Sequence, residues 1–267
     1  MNFVIAFMGE ARPIIDYYGL QKVSHRSHQL FQNNRHSLIL SGPGKDRASL
    51  ATEVLAKLTD IPNQAWINLG IAGHGNFAKG DLFIAAKIED DQTEKSFFPP
   101  QIYGSSLKVG TVKTCTKPSH QYKHGQGYDM ESHAFYQAAI GYSIRELVQV
   151  IKIVSDNPTQ PVDKFSPKEA PNLIIQHLPA IDALVMQMDQ ACESLQTDQA
   201  LEESFIAINK THSFSFTRSH QLYNLVKHAK LLDLDMNIVQ ELACSSANAS
   251  DAIQKISDFI KPHRILG

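Results

Sequence analysis

Ala65-Trp66-Ile67-Asn68-Leu69 runs straight into Gly70-Ile71-Ala72-Gly73-His74-Gly75. A short apolar run bounded by glycines reads as a buried strand, with the glycines forming a turn at its end. Glycine there lets the backbone approach a ligand closely. Upstream, residues 3–8 (FVIAFM) form a continuous apolar run, the pattern of a strand covered on both faces. Downstream, residues 147–154 form another strand with an almost fully apolar centre, ending in Ser155-Asp156-Asn157-Pro158. Further strands are expected at 22–24, 27–32, 36–40, 81–88 and 108–114. Helices are expected after Gly9-Glu10-Ala11-Arg12-Pro13, with Pro13 in the first turn, to about Tyr18, over 46–58 and 129–139, and over a long region, 167–195, bent at Pro179.

Strands alternating with helices imply a mostly parallel, covered sheet. In such sheets ligands sit at the C-terminal ends of the strands. From about Thr197 the pattern is helical only, over 198–208, 219–232, 235–244 and 247–260. Leu222, Leu225, Val226, Ala229 and Leu232 mark one apolar face at helical spacing. The expected organisation is an α/β domain over residues 1–196 and a helical extension over 197–267 packed on it.

Composition narrows the function classes. With 43% apolar and 19% charged residues in a chain of 267, a sizeable core can form. A formal net charge of −2 gives no basic excess for nucleic acid or a membrane surface. Cys115, Cys192 and Cys244 are too sparse for a disulfide framework, so a reducing, cytoplasmic setting is expected. The apolar start of the chain is short, is followed by Glu10 and lacks a basic flank, unlike a signal peptide. No stretch approaches the roughly 18 apolar residues of a spanning helix.

Four constellations could carry chemistry. Asp129-Met130-Glu131-Ser132 opens an expected helix; Glu131 there could accept two hydroxyls of a vicinal diol, or Asp129 and Glu131 could simply serve the helix terminus. Ser155-Asp156 ends a buried strand. An Asp that carries its proton there can donate to a purine ring nitrogen; the other reading is an Asx turn before Pro158. Ser41-Gly42-Pro43-Gly44-Lys45 and the Gly70–Gly75 segment could cradle an anion with free amides, though neither is a P-loop or a dinucleotide fingerprint. Glu10, after the first strand, could activate a water or open a helix. Twelve histidines raise the question of a metal. His120 and His124, with Cys115 and His133 nearby, have no CxxC or HExxH pattern, and no metal or cofactor is expected.

In order and spacing these segments resemble the nucleoside phosphorylase and nucleosidase superfamily, which includes the methylthioadenosine/S-adenosylhomocysteine nucleosidases and the hopanoid-associated phosphorylases. The resemblance rests on residues 4–10, 41–45, 65–73 (AWINLGIAG), Gly80-Asp81-Leu82, 128–132 (YDMES) and 151–156 (IKIVSD), within about residues 3–190. It implies a three-layer α/β/α fold with a mixed central sheet. It implies that Glu131 binds ribose hydroxyls, with Met130 beside it, and that Ser155 and Asp156 meet the purine. Ile71, Ala72 and Gly73 would line the substrate pocket, Glu10 would activate water, and Ser41, Gly42 and Lys152 would hold a nucleophile or anion. Lys152 stands where relatives usually carry arginine. Ile71 replaces a hydroxyl residue, and an ungapped match puts Ala11, not Glu10, at the water-activating position. The implied activity is cleavage of a purine nucleoside's N-glycosidic bond, by hydrolysis first and by phosphorolysis as the alternative, with inorganic phosphate then the co-substrate. A catalytically silent nucleoside-binding or scaffold protein is the reading from another class. The implied partners are a small-molecule nucleoside and further copies of the chain, as a homo-oligomer.

Overall fold

The computed structural model describes residues 1–61, 63–93 and 95–263. Its elements, in chain order, are β1 (Asn2–Ile5), α1 (Met8–Tyr18), β2 (Gln21–Val23), β3 (Leu30–Gln32), β4 (Ser37–Leu40), α2 (Lys45–Thr59), β5 (Trp66–His74), β6 (Leu82–Asp90), β7 (Ser96–Phe97), β8 (Lys108–Thr114), β9 (Gln126–Asp129), α3 (Ser132–Ala139), β10 (Val148–Asp156), α4 (Ala170–Ile175), α5 (Leu178–Asn209), α6 (Phe216–Leu231), α7 (Met236–Cys244) and α8 (Ala249–Ile260). The chain divides into two compact units, Met1–Cys192 and Glu193–Gly267.

The first unit is built on one mixed sheet. An open wing runs β2-β3-β4-β1-β5. From β5 the pairing continues through β10, β6, β8 and β9 and returns to β5, closing a ring of five strands. Helices α2 and α3 pack on one another and against the sheet, and α1 and α4 form a second pair with their own sheet contacts. The result is the three-layer α/β/α arrangement. Its core joins Val4, Ile39, Leu55, Trp66, Phe83, Val112, Phe135, Tyr136 and Val150. Burying each such side chain stabilises the fold by about 1.5–3 kcal/mol.

Several segments differ from the sequence expectation. The 3–8 run yields a strand only to Ile5, because the chain turns into α1 at Met8. Glu10, in the first turn of that helix, accepts a hydrogen bond from the Phe7 amide (3.1 Å), and a carboxylate suits a helix N-terminus. The Gly70–Gly75 segment is not a turn, since β5 continues through it to His74. Pairing with β10 along nearly its whole length holds it extended. The turn begins after His74, whose buried ring Nδ1 accepts the amides of Asn76 (3.2 Å) and Phe77 (3.1 Å). Residues 129–131 precede α3 rather than open it, because Asp129 ends the short strand β9, which the sequence pattern does not reveal.

The long region 167–195 breaks before Leu178, so Pro179 sits in the first turn of α5, where its missing N–H costs nothing. Helix α5 then runs on to Asn209, so residues 198–208 are its continuation rather than a separate helix. The second unit has its own apolar core, in which Leu222, Leu225, Val226 and Ala229 of α6 meet Val239 and Ala243 of α7 and Ala252, Ile256 and Ile260 of α8. Among the described residues no helix is long and apolar enough to cross a membrane.

The entrance to α2 depends on Gly44, which adopts φ +103° and donates its amide to Glu131. A Cβ there meets no atom within 4 Å, so the cost of a side chain is conformational alone. Gly44→Ala is expected to destabilise the chain by about 1–2 kcal/mol, read as a lower urea midpoint with an unchanged slope. An unchanged midpoint refutes the assignment.

Candidate active site

The site forms where the sheet changes partners. One edge of β5 pairs with β1 through Trp66–Asn68, and further along with β9 through Gly73 and His74. Glu10 fills part of the interval between them. Its Oε1 accepts the Ile71 amide at 2.9 Å, while Oε2 takes the Phe7 amide. On the opposite edge, β10 follows β5 in register to Val154↔Ala72 and then skips one residue, so that Asp156 falls opposite Gly73. Such an irregularity re-aims side chains.

A cavity of about 160 Å³ lies at these strand ends. Ile71, Ala72 and Gly73 of β5, Met130 and Glu131 after β9, and Ser155 and Asp156 of β10 line it. Seven of the residues expected at a substrate pocket therefore share one wall. Glu10 does not line the cavity and stands behind Ile71. Ser41 and Gly42 are not part of it either. The Ser41 hydroxyl donates to the Gly42 carbonyl (2.8 Å), and the amides of Ser41 and Gly42 donate to Ile5 and Ala6. The expectation that these groups present an anion cradle is corrected accordingly, because their donors are taken by backbone.

Lys152 is also set back, 1% exposed and tied on two sides. Its Nζ donates to Asn68 Oδ1 (2.8 Å) and pairs with Asp129 Oδ2 (2.9 Å). Asp129 further accepts Thr114 Oγ1–H (2.9 Å), the Ser132 amide (2.9 Å) and the Ser132 hydroxyl. Burial pushes the Lys152 ammonium down, but Asp129, Glu131 and Glu10 outweigh it and raise its pKa, so it stays charged. Burial pushes Asp129 up, and Lys152 with the three hydrogen bonds more than reverses it. For Glu10, burial prevails over the Ile71 bond and Lys152, and its pKa is raised. Glu131 is pushed up to about 7 by burial and then by the Asp129 charge. Its Oε1 accepts the Gly44 amide (2.8 Å).

Asp156 is buried and accepts two hydroxyls, Ser155 at Oδ1 (2.5 Å) and Tyr122 at Oδ2 (2.7 Å). Tyr122 lies in the polar segment between β8 and β9, where sequence pattern gave no reason to single it out. Pro118, Ser119, Tyr128 and Val162 complete the cavity. Asn68 and Thr114 were equally silent as a site, since buried polar residues within strands carry no periodic signal, and Asp129 read only as part of a helix start. Of the residues considered for a metal, His120 faces Asp163 (3.7 Å) and His133 packs on Phe97. No group of three or more His, Cys, Asp or Glu that could hold a metal occurs among the described residues.

Glu131 makes stability depend on pH. Its pKa is about 7 in the folded chain against a model-compound 4.5, so the folded state binds the proton more tightly. Its contribution is present in full below pH 4.5 and is lost as pH rises towards 7. Glu131→Gln, which cannot ionise, is expected to flatten this decline in urea midpoints measured across that window. Parallel profiles for the two proteins exclude the assignment.

No protein-family model matches the chain, and no curated protein matches it in sequence. Solved structures do match in fold. The 5′-methylthioadenosine/S-adenosylhomocysteine nucleosidase of Campylobacter jejuni is 16% identical with a TM-score of 0.56, over 71% of this chain and 98% of its own. A futalosine hydrolase mutant from Helicobacter pylori strain 26695 is 13% identical with a TM-score of 0.53, over 70% and 98%. The nucleosidase of Colwellia psychrerythraea 34H, solved with adenine, is 18% identical with a TM-score of 0.51, over 70% and 93%. The α/β unit of this chain thus shares the fold of these solved structures.

Proposed function

We propose that the protein hydrolyses the N-glycosidic bond of a purine nucleoside. The observation that carries this reading is the meeting of Glu131 and Asp156 on one cavity, with Glu10 directly behind its Ile71 wall. Glycosidic cleavage needs a group at the departing base, a group holding the sugar, and a placed nucleophile. Asp156 takes the base end, with Ser155 beside it. Glu131, anchored through Oε1 on Gly44, offers its other oxygen to the ribose diol. Glu10 takes the proton of the attacking water only once it releases the Ile71 amide, which it holds from behind the cavity wall. As the C–N bond breaks and the water oxygen forms the new C–O bond, the departing base takes a proton from the Asp156 carboxyl, and the proton collected by Glu10 replaces it through solvent. The fold neighbours include a nucleosidase solved with adenine, which supports a purine as the leaving group.

Electrostatics favour water over phosphate. Glu10, Asp129 and Glu131 surround a single cation, Lys152, which is held by Asp129 and Asn68. Ser41 and Gly42 direct their donors to backbone, and Ile71 supplies no hydroxyl. A phosphate dianion would meet this acidic surround at a cost. Phosphorolysis is the second reading because the exposed Arg47 side chain lies against the Gly42 turn and could hold an anion.

A panel of purine nucleosides, with and without phosphate, followed by chromatography of the free base, tests both readings. Base release without phosphate is expected. Release only with phosphate assigns the chain to phosphorolysis, and binding without release assigns it to a silent binding protein. Asp156→Asn is expected to lower turnover about 10²–10⁴-fold while the urea midpoint holds near its original value. Turnover equal to the parent removes Asp156 from the chemistry.

A further inference from the structure

We infer that Tyr122 is an internal ligand of Asp156, held where the nucleobase binds, so that admission of the base requires Tyr122 to leave. This rests on the proposed site and adds to it a residue that sets its affinity.

The geometry is a clasp. The Tyr122 hydroxyl donates to Asp156 Oδ2 (2.7 Å) and accepts the Val162 amide (2.9 Å). The amide can only donate, so the phenol's own proton is the one directed at the carboxylate. One hydroxyl thereby ties the segment between β8 and β9 to the segment after β10, across the end of the strand that carries Asp156. The ring lies close over β5, since a Cβ on Gly73 would be 3.4 Å from Tyr122 Cε1 and 2.6 Å from Asp156 Oδ2. The Asp156 carboxylate presses on the phenol in turn, and burial with that charge pushes its pKa up to about 12. Tyr122 is therefore a donor across the physiological range.

The size of the cavity agrees. About 160 Å³ is below the roughly 300–1,000 Å³ of ligand pockets. Pro118 and Ser119, on the same segment as Tyr122, and Val162, its other anchor, form part of the wall. A nucleoside that reaches Asp156 must displace these groups. The base must also offer an N–H donor to replace the one Asp156 loses. The segment is suited to move, because Thr116–Pro118 and Lys123–Gly125 are exposed. One hydrogen bond donated by the Tyr122 hydroxyl and one that it accepts hold its middle, and the amides of Lys123 and Gly125 donate to Tyr128 and Asn76. A site that is competent only when its internal ligand is out binds with an affinity reduced by the competent fraction.

The test is Tyr122→Phe in the full chain, which keeps the ring and removes the clasp. Calorimetry with adenine, hypoxanthine and guanine reads affinity, and the nucleoside assay reads KM against kcat. The variant is expected to bind the preferred purine about tenfold more tightly, with the gain read in KM. Trypsin cleavage after Lys123, measured without ligand, is expected to speed up in the variant. In the parent it is expected to speed up when the purine is added. Weaker binding by the variant overturns the inference, because Tyr122 then belongs to the bound complex. Equal affinity and equal cleavage rates overturn it too, because the clasp then holds nothing. If neither protein binds any purine or cleaves any nucleoside, the proposed function falls and the inference with it. Purine binding that is unaffected by the substitution leaves the function standing and removes only the role of Tyr122.

Discussion

A buried ammonium organises the first unit. Lys152 Nζ lies between Asp129 and Asn68, joining the middle of β10 to the end of β9 and the middle of β5. Asn68 turns its amide nitrogen to the Val4 carbonyl of β1 (2.9 Å), and Ser132 at the start of α3 bonds both Asn68 and Asp129. Four strands and a helix thus converge on one charge. Removing an ion of this kind from water costs several kcal/mol and is offset only when every partner is in place. Thr114, Ser132 and Asn68 supply that completeness. The network also fixes where the chain after β9 emerges, and so where Glu131 reaches the cavity.

The same network explains a glycine in the middle of a strand. Glycine weakens a strand interior unless another group needs the room. At Gly70 a Cβ would lie 3.2 Å from Glu10 Oε1 and 3.6 Å from Lys152 Nζ. Both charged side chains therefore approach β5 at the position without a side chain. Glu10 takes up the Ile71 amide on the edge between β1 and β9, so a buried carboxyl satisfies the backbone there.

Much of this was readable in advance where periodicity speaks. The apolar runs of β1, β5 and β10 and the faces of α2 and α6 follow from spacing alone. Asp156 follows the end of a patterned strand and Glu131 lies in the first turn of an expected helix, and both fall within the segments that carry the family resemblance. What stayed hidden obeys a different physics. The glycines of β5 look like a turn in isolation, and only the ladder to β10 keeps them extended. Strand β9 is four residues long and paired at both edges, so its existence is a property of its neighbours. Asp129 reads as a helix cap until Lys152, distant in sequence, arrives beside it. Tyr122 is one aromatic in a polar segment, and its meaning depends on a carboxylate 34 residues away.

Lysine at position 152 also shapes the electrostatics of the site. A guanidinium would present a planar fork able to hold two oxygens of an anion at once. The ammonium is compact, directs its bonds to Asp129 and Asn68, and leaves no fork for a phosphate. The positive charge is spent within the protein, on holding Asp129 ionised against its burial. Burial pushes Glu10 and Glu131 towards their protonated forms, and the Lys152 charge offsets this only in part. With a pKa of about 7, Glu131 can both give and accept a proton at physiological pH. The partners that the buried lysine already has thus keep its charge away from the cavity.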